Sequence, residues 1–392
     1  MTGHRRICLF TSTRAEWGLL SWLAHDLKAD ASVELSLLVS GSHLSPQFGE
    51  TWRAIAAEGF TLDERVEMLL DSDSRTGMAT SMGLGLMRFA EALDRLKPDL
   101  LVLLGDRTEL LAAASAAACL NIPVAHLHGG EATEGAIDDA IRNAVTALAH
   151  LHFPSAEPYR RRILQMGVAP GRITLAGAPA LDTFARLALL DRPALEADLG
   201  FSLAPPLFMV TYHPVTAGDS EPVAEIAELC AGLDCFPDAR IIVSRANQDA
   251  GARAINAFLE DWAARHPERV RLVASLGTRR YLSVVKAAAV VVGNSSSGVI
   301  EVPAAGTASV NVGDRQKGRL RSPGVIDCAC ERDAVAAAVA RALTPEHQTV
   351  AKRAETPYGG PGASARIAKV LTTVPLDGLL KKPFHDLDMP CP

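Results

Sequence analysis

At 392 residues the chain is longer than one hydrophobic core usually spans, which points to two domains of about 150–200 residues each. With 48% hydrophobic and 21% charged residues it is globular in composition, not disordered. A net charge of −6 with no basic run excludes a nucleic-acid surface, and no stretch of eighteen uninterrupted apolar residues offers a signal or membrane-spanning helix, so the expected location is the cytoplasm.

The chain opens with a predicted strand (Arg6 to Phe10), the loop Thr11-Ser12-Thr13-Arg14-Ala15-Glu16, and a helix from Trp17 to Lys28. The loop lacks G-x-G-x-x-G, which argues against a dinucleotide enzyme. Arg14 offers a guanidinium fork near a helix N-terminus, a phosphate grip in one reading and a solvated loop arginine in the other. A second strand (Val33 to Val39) ends at Ser40-Gly41-Ser42-His43, and helices are predicted around Pro46 to Glu58 and from Met78 to Leu96, the latter stopped by Pro98.

Lys97 to Leu151 reads as a βαβα unit, with apolar strands at Leu100–Leu104 and Ile122–Leu127. Polar residues crowd the carboxyl ends of these strands, where open parallel sheets collect ligands: Gly105-Asp106-Arg107, then His126, His128, Gly129-Gly130-Glu131, Glu134 and Asp138-Asp139. Carboxylates and histidines over one sheet edge suit acid–base work on a bound ligand. Two HxH pairs, His126/His128 and His150/His152, have strand spacing that points both rings of a pair to one face, as a zinc site requires; hydrogen bonding to the nearby carboxylates is the preferred reading, and no metal is expected.

Alternation resumes after Asp191-Arg192-Pro193, with strands at Leu207–Tyr212, Arg240–Ser244, Val270–Ala274, Ala289–Val292 and Ser309–Val312. His213 follows the first of these, and Arg245, Asn247 and Asp249 follow the second. The run Val292 to Glu301 takes a buried strand into a small-residue turn and a helix, so serine hydroxyls, backbone N–H groups and the positive helix end face one spot. It reads as a diphosphate cradle formed by Ser296, Ser297 and Gly298, with Glu301 one turn on to accept ribose hydroxyls. The segment Gly313 to Arg319 brings Arg315, Lys317 and Arg319 to the end of the next strand. The expected domains are residues 1–182 and 191–361, with the segment 362–392, including a helix from Ala363 to Thr373, returning to the first. Seven scattered cysteines fit reduced thiols, and Cys328-Ala329-Cys330 lacks the second pair that a metal site needs.

The motifs TSTRAEWG, LGDRTELL, HGGEATEGAIDDAIRNAVTALAHLHF, TYHPVT, NSSSGVIEVP and NVGDRQKGRLRSPGVIDC, spread over residues 11–328, together resemble the hydrolysing UDP-N-acetylglucosamine 2-epimerases of sialic-acid precursor synthesis. One stretch departs from that pattern: Asn143 and Ala147 stand where the family reads His and Lys. The resemblance implies an α/β GT-B fold, two Rossmann-like doubly wound domains facing a central cleft, with UDP held mainly by the second. It also implies no cofactor, a UDP-sugar as substrate, no nucleic-acid or membrane partner, and a homodimer or homotetramer.

The implied reaction eliminates UDP to form 2-acetamidoglucal and then hydrates it to N-acetylmannosamine. Asp106, Glu131 and Asp138 are the candidate catalytic carboxylates, with His213 beside the departing phosphate. Arg14, Ser296, Ser297, Gly298, Glu301 and Arg319 are expected to bind UDP, and His43, Arg107, Arg142 and Asn247 the sugar. A close alternative takes a UDP-2,4-diacetamido-2,4,6-trideoxy sugar. Others are a non-hydrolysing epimerase, a non-catalytic nucleotide-sugar binding protein and a glycosyltransferase.

Overall fold

The structure, a computed structural model, describes residues 4–72, 74–133, 137–215, 221–246 and 251–387. They fall into two compact units, one of residues 4–132, 137–183 and 358–387, the other of residue 133 and the described residues between 184 and 357.

The first unit carries six parallel strands, β1 (Arg5–Thr11), β2 (Val33–Ser40), β3 (Glu64–Val66), β4 (Leu100–Leu104), β5 (Val124–Leu127) and β6 (Leu151–Phe153), in the spatial order β3-β2-β1-β4-β5-β6. The second repeats the arrangement with β7 (Leu207–Thr211), β8 (Arg240–Ser244), β9 (Val270–Val273), β10 (Val290–Gly293), β11 (Ala308–Val312) and β12 (Val325–Cys328), ordered β12-β11-β10-β7-β8-β9. Each is the doubly wound order in which the chain starts at the centre, builds outward on one side and then crosses to the other. The central strands are rich in successive apolar residues because helices cover both faces: all five residues of β4 and of β7 are buried. The edge strands β3 and β12 fall outside the sequence expectation. At three and four residues, with only Val66 and Ile326 buried, they carry too little apolar pattern to read.

Helix boundaries follow local chemistry. The helix Arg14–Ala29 begins three residues earlier than its apolar pattern, because Thr13 and Glu16 form a capping box that satisfies its first amides. The helix Arg75–Leu96 ends where Lys97 adopts a left-handed conformation ahead of Pro98. The predicted helix from Pro46 to Glu58 is instead a short turn, Pro46–Phe48, and a helix, Trp52–Ala57, separated at the left-handed Gly49. The helix Ala363–Thr373 belongs to the first unit, where Ile367 and Leu371 share a core with Leu20, Leu23 and Leu27. Buried Asp182 caps it, accepting hydrogen bonds from the amides of Gly362, Ala363 (3.1 Å) and Ser364 (2.7 Å). The six described cysteines are free, and no described helix is long and apolar enough to cross a membrane.

Candidate active site

The carboxyl ends of β4 and β5 hold a connected set of charged and polar side chains. Its centre is Arg142, which is 1% exposed on the helix Asp138–Leu148. Its guanidinium pairs with Asp106, just beyond β4, and with Asp139, and it donates to the carbonyl of Glu131 at 2.9 Å. Three acceptors from three segments thus share one planar fork, which a lysine could not supply. The sugar-binding role expected of Arg142 meets a guanidinium committed to the protein. Asp138, the first residue of that helix, has its carboxyl raised above the usual range by burial and by the charge of Asp106.

Beyond β5 the chain turns through His128, left-handed at φ 64°, and Gly130, at φ 77°. A Cβ on Gly130 would lie 2.4 Å from the Tyr159 carbonyl, so glycine is required for the turn to pass the neighbouring helix. The turn brings buried Glu131 back onto His128: its Oε1 lies 2.6 Å from His128 Nδ1 and accepts from the Ser155 hydroxyl at 2.7 Å. His128 Nε2 is buried and has no hydrogen-bond partner among the described residues.

The HxH pairs do not act as units. His126 donates through Nε2 to the Gly105 carbonyl (2.8 Å), so its Nδ1 accepts from Thr146 (3.1 Å), and burial pushes its ring down to about 4. His150 Nδ1 accepts from the Val124 amide at 3.1 Å, while neither ring nitrogen of buried His152 has a partner among the described residues. No group of three or more His, Cys, Asp or Glu among the described residues is arranged to hold a metal ion. Lys382 covers the end of the same helix, donating to the carbonyls of Ala147 (2.8 Å) and Ala149 (2.7 Å).

A second charged group follows β1 and β4. Arg107 lies 3.5 Å from Glu109 and 4.0 Å from Glu16, and burial raises the Glu16 carboxyl to about 7 against the opposing pull of Arg107. His43 is spent elsewhere in the protein. Its ring nitrogens face Thr11 (3.0 Å) and Thr51 (2.8 Å), and burial lowers it to about 4, which makes it a neutral strut between β1 and the segment after β2. Arg14 is exposed at the first position of its helix.

In the second unit Gly293, at φ 141°, ends β10 with its Cα so close to β7 that a Cβ would lie 1.9 Å from the Thr211 carbonyl. Buried Asn294 then clamps the turn after β7, accepting from the His213 amide (2.8 Å) and donating to the His213 carbonyl (2.7 Å). Gln316 donates to the Asn294 carbonyl at 2.9 Å and Arg315 at 3.2 Å, tying the segment after β11 to the same turn. Ser296 is the N-cap of the helix Ser297–Ala304, and Tyr281 donates to the Ser297 hydroxyl at 2.8 Å. Burial raises the Glu301 carboxyl, with the Ser297 hydroxyl pulling it the other way. Gly298 lies in the first turn of that helix, and Arg319 is half-buried with Nε unpartnered among the described residues.

His213, Ser296, Ser297, Gly298 and Glu301 are therefore gathered at the ends of β7 and β10, and Asp106, Glu131, Asp138 and Arg142 at the ends of β4 and β5. Glu134, Asn247 and Asp249 lie outside the described residues. Ser155, Glu16, Tyr281, Asn294 and Gln316 join these groups without having been expected as site residues. Only Glu16 carried a readable signal, the T-x-x-E capping pattern.

Residues 25–372 match the family UDP-N-acetylglucosamine 2-epimerase. The chain is 40% identical to the GDP/UDP-N,N'-diacetylbacillosamine 2-epimerase (hydrolyzing) of Campylobacter jejuni, over 82% of this chain and 84% of that one. It is 34% identical to the UDP-N,N'-diacetylbacillosamine 2-epimerase (hydrolyzing) of Legionella pneumophila, over 95% and 97%. Its fold matches, with a TM-score of 0.80 and 17% identity, the crystal structure of UDP-GlcNAc 2-epimerase from Neisseria meningitidis bound to UDP-GlcNAc, over 94% of this chain and 99% of that one. Two doubly wound sheets of the GT-B type, strand-end clusters on both, and relatives this similar over most of their length lead to one conclusion: the chain belongs to the UDP-N-acetylglucosamine 2-epimerase family.

Proposed function

We propose that the protein is a hydrolysing 2-epimerase acting on a nucleotide-linked 2,4-diacetamido-2,4,6-trideoxyglucose, most simply the UDP form, and releasing UDP and the free manno-configured sugar. The observation that carries the choice of sugar is the pair of hydrolysing diacetylbacillosamine 2-epimerases at 40% and 34% identity over most of the chain. UDP-N-acetylglucosamine, the substrate implied by the motif resemblance, is the second reading and the comparison arm of the test.

The reaction divides into two steps. The C1–O bond breaks with its electron pair leaving on the diphosphate, while the C2 proton passes to a base and its pair forms the C1=C2 bond. Water then gives its oxygen to C1 and a proton to solvent, and C2 takes a proton on the opposite face. Positive charge on the ring in the first step suits stabilisation by Asp106 and Asp138. Glu301 and Ser297 supply acceptors for ribose hydroxyls, and Ser296, Arg319 and His213 groups for the diphosphate. The amides of Gly298, Val299 and Ile300 already donate within their own turn at 3.0–3.1 Å, which leaves hydroxyls and the positive end of the helix as the anion-binding elements there.

Incubation with each UDP-sugar, and with the GDP form of the trideoxy sugar, in D2O followed by NMR tests the reading. UDP release with a free manno sugar deuterated at C2 is the expected result for the trideoxy substrate. Faster turnover of UDP-N-acetylglucosamine would reverse the order of the two substrates, and inertness toward all of them would overturn the function.

A further inference from the structure

We infer that His128, not Glu131, is the group that takes the C2 proton, and that Glu131 is a positioning residue acting through it; this rests on the hydrolysing 2-epimerase reading. The hydrogen-bond inventory around Glu131 carries the inference. Its Oε1 receives the Ser155 hydroxyl at 2.7 Å and faces His128 Nδ1 at 2.6 Å, while its own backbone carbonyl is tied to Arg142 at 2.9 Å. The carboxylate oxygen nearest the ring is thus an acceptor already held from two sides inside the protein. A neutral imidazole facing a carboxylate through Nδ1 must carry its proton there, which leaves the lone pair on Nε2.

That nitrogen is buried and has no partner among the described residues. Leaving a buried polar atom unpaired is destabilising, a cost tolerated where a ligand completes the pairing. The backbone adds a second cost at the same place: His128 is held left-handed at φ 64°, a conformation sparsely populated by residues other than glycine. The ring is thereby set at the carboxyl end of β5, and the turn that holds it is linked through Arg142 to Asp106 at the end of β4. Glu131 resembles the acid member of a Ser-His-Asp triad in this respect, fixing the tautomer and stabilising the imidazolium that forms.

In the elimination step the C2–H bond breaks, its proton goes to His128 Nε2, its electron pair forms the C1=C2 bond, and the C1–O pair leaves with UDP. The imidazolium, hydrogen-bonded to the Glu131 carboxylate, returns its proton to solvent before the next turnover. The proton that C2 gains in the hydration step comes from another donor on the opposite face, so hydration does not require His128.

The test compares wild type, His128→Asn, Glu131→Gln and the double variant. Asparagine is used because it tolerates the left-handed backbone, and His128→Gln serves as the second variant; circular dichroism and UDP affinity check folding. His128→Asn is expected to lose about 10²–10⁴-fold in kcat on the UDP-sugar with KM little changed, while hydrating the isolated 2-acetamidoglycal within about tenfold of wild type. The double variant is expected to be no slower than His128→Asn, because Glu131 acts through the ring it holds. Turnover by both His128 variants close to wild type, or a double-variant loss equal to the product of the single losses, would overturn the inference while active wild type upholds the function. Wild type that releases UDP from none of the sugars would remove the function and the inference together.

Discussion

Replacing Arg142 by methionine removes the fork on which the strand-end cluster is built and keeps most of the side-chain volume. The guanidinium makes charge-assisted contacts to Asp106 and Asp139 and donates to the Glu131 carbonyl at 2.9 Å. At about 1.5–3 kcal/mol for each hydrogen bond to a charged group, simple addition over the three contacts gives about 4.5–9 kcal/mol. The two carboxylates are 25% and 34% exposed, so water can rehydrate them once the arginine is gone, and the sum must be discounted. The Glu131 carbonyl is in buried surroundings and has less recourse. The expected loss is about 3–4 kcal/mol, the lower part of the range for breaking a buried ion pair.

Urea denaturation followed by tryptophan fluorescence measures this, because Trp17, Trp22 and Trp52 report on the first unit and only Trp262 on the second. Arg142→Lys should recover about half, since one ammonium can face one carboxylate but cannot span three acceptors. In an Asp106→Asn background the cost of Arg142→Met should fall by at least about 1 kcal/mol. A loss under about 1 kcal/mol for Arg142→Met, with an unchanged denaturant slope, would refute the view that this arginine holds the cluster together.

In the second unit, Glu301→Ala is expected to weaken UDP binding by about 1.5–3 kcal/mol, the scale of a charge-assisted hydrogen-bond pair; unchanged affinity in calorimetry would place the ribose elsewhere. Glu16 supplies a pH-dependent contribution to stability. Its folded-state value of about 7 lies above the unfolded 4.5, so the folded form binds the extra proton and the stability this confers, full below pH 4.5, is lost as pH rises through 7. Each tenfold difference in proton affinity between the folded and unfolded forms is worth about 1.4 kcal/mol, so Glu16→Gln should gain on wild type by up to about 3 kcal/mol as the pH is raised from the unfolded value to beyond the folded one. A difference in melting behaviour that stays flat over that range would contradict the burial argument.

What the sequence determined on its own was everything carried by local pattern. The apolar runs within β1, β2, β4, β7, β8, β10 and β11 marked the interior of two sheets, because strands covered on both faces bury apolar residues at successive positions. The small-residue turn into the helix at Ser297 and the polar crowd after β4 and β5 were legible because ligand groups at parallel-strand ends sit next to those strands in the chain. The short edge strands β3 and β12 were not, since half-exposed strands of three or four residues leave no periodicity to read. Tertiary structure alone decided how the polar residues pair. His43, at one strand end, is consumed by Thr11 and Thr51, and Arg142 by Asp106, Asp139 and the Glu131 carbonyl; of these, the contacts to Thr11, Asp106 and Glu131 depend on which strand ends are neighbours in the sheet. His126 and His128, identical in type and two residues apart, diverge for the same kind of reason. The first lies within β5 and meets Gly105 and Thr146, whereas the second lies past the strand's end, turns left-handed, and meets a carboxylate three residues on with its other nitrogen left open. Spacing places both rings at one sheet edge, but hydrogen-bond partners come from the fold, and the partners set which ring is structural and which is poised to accept a proton.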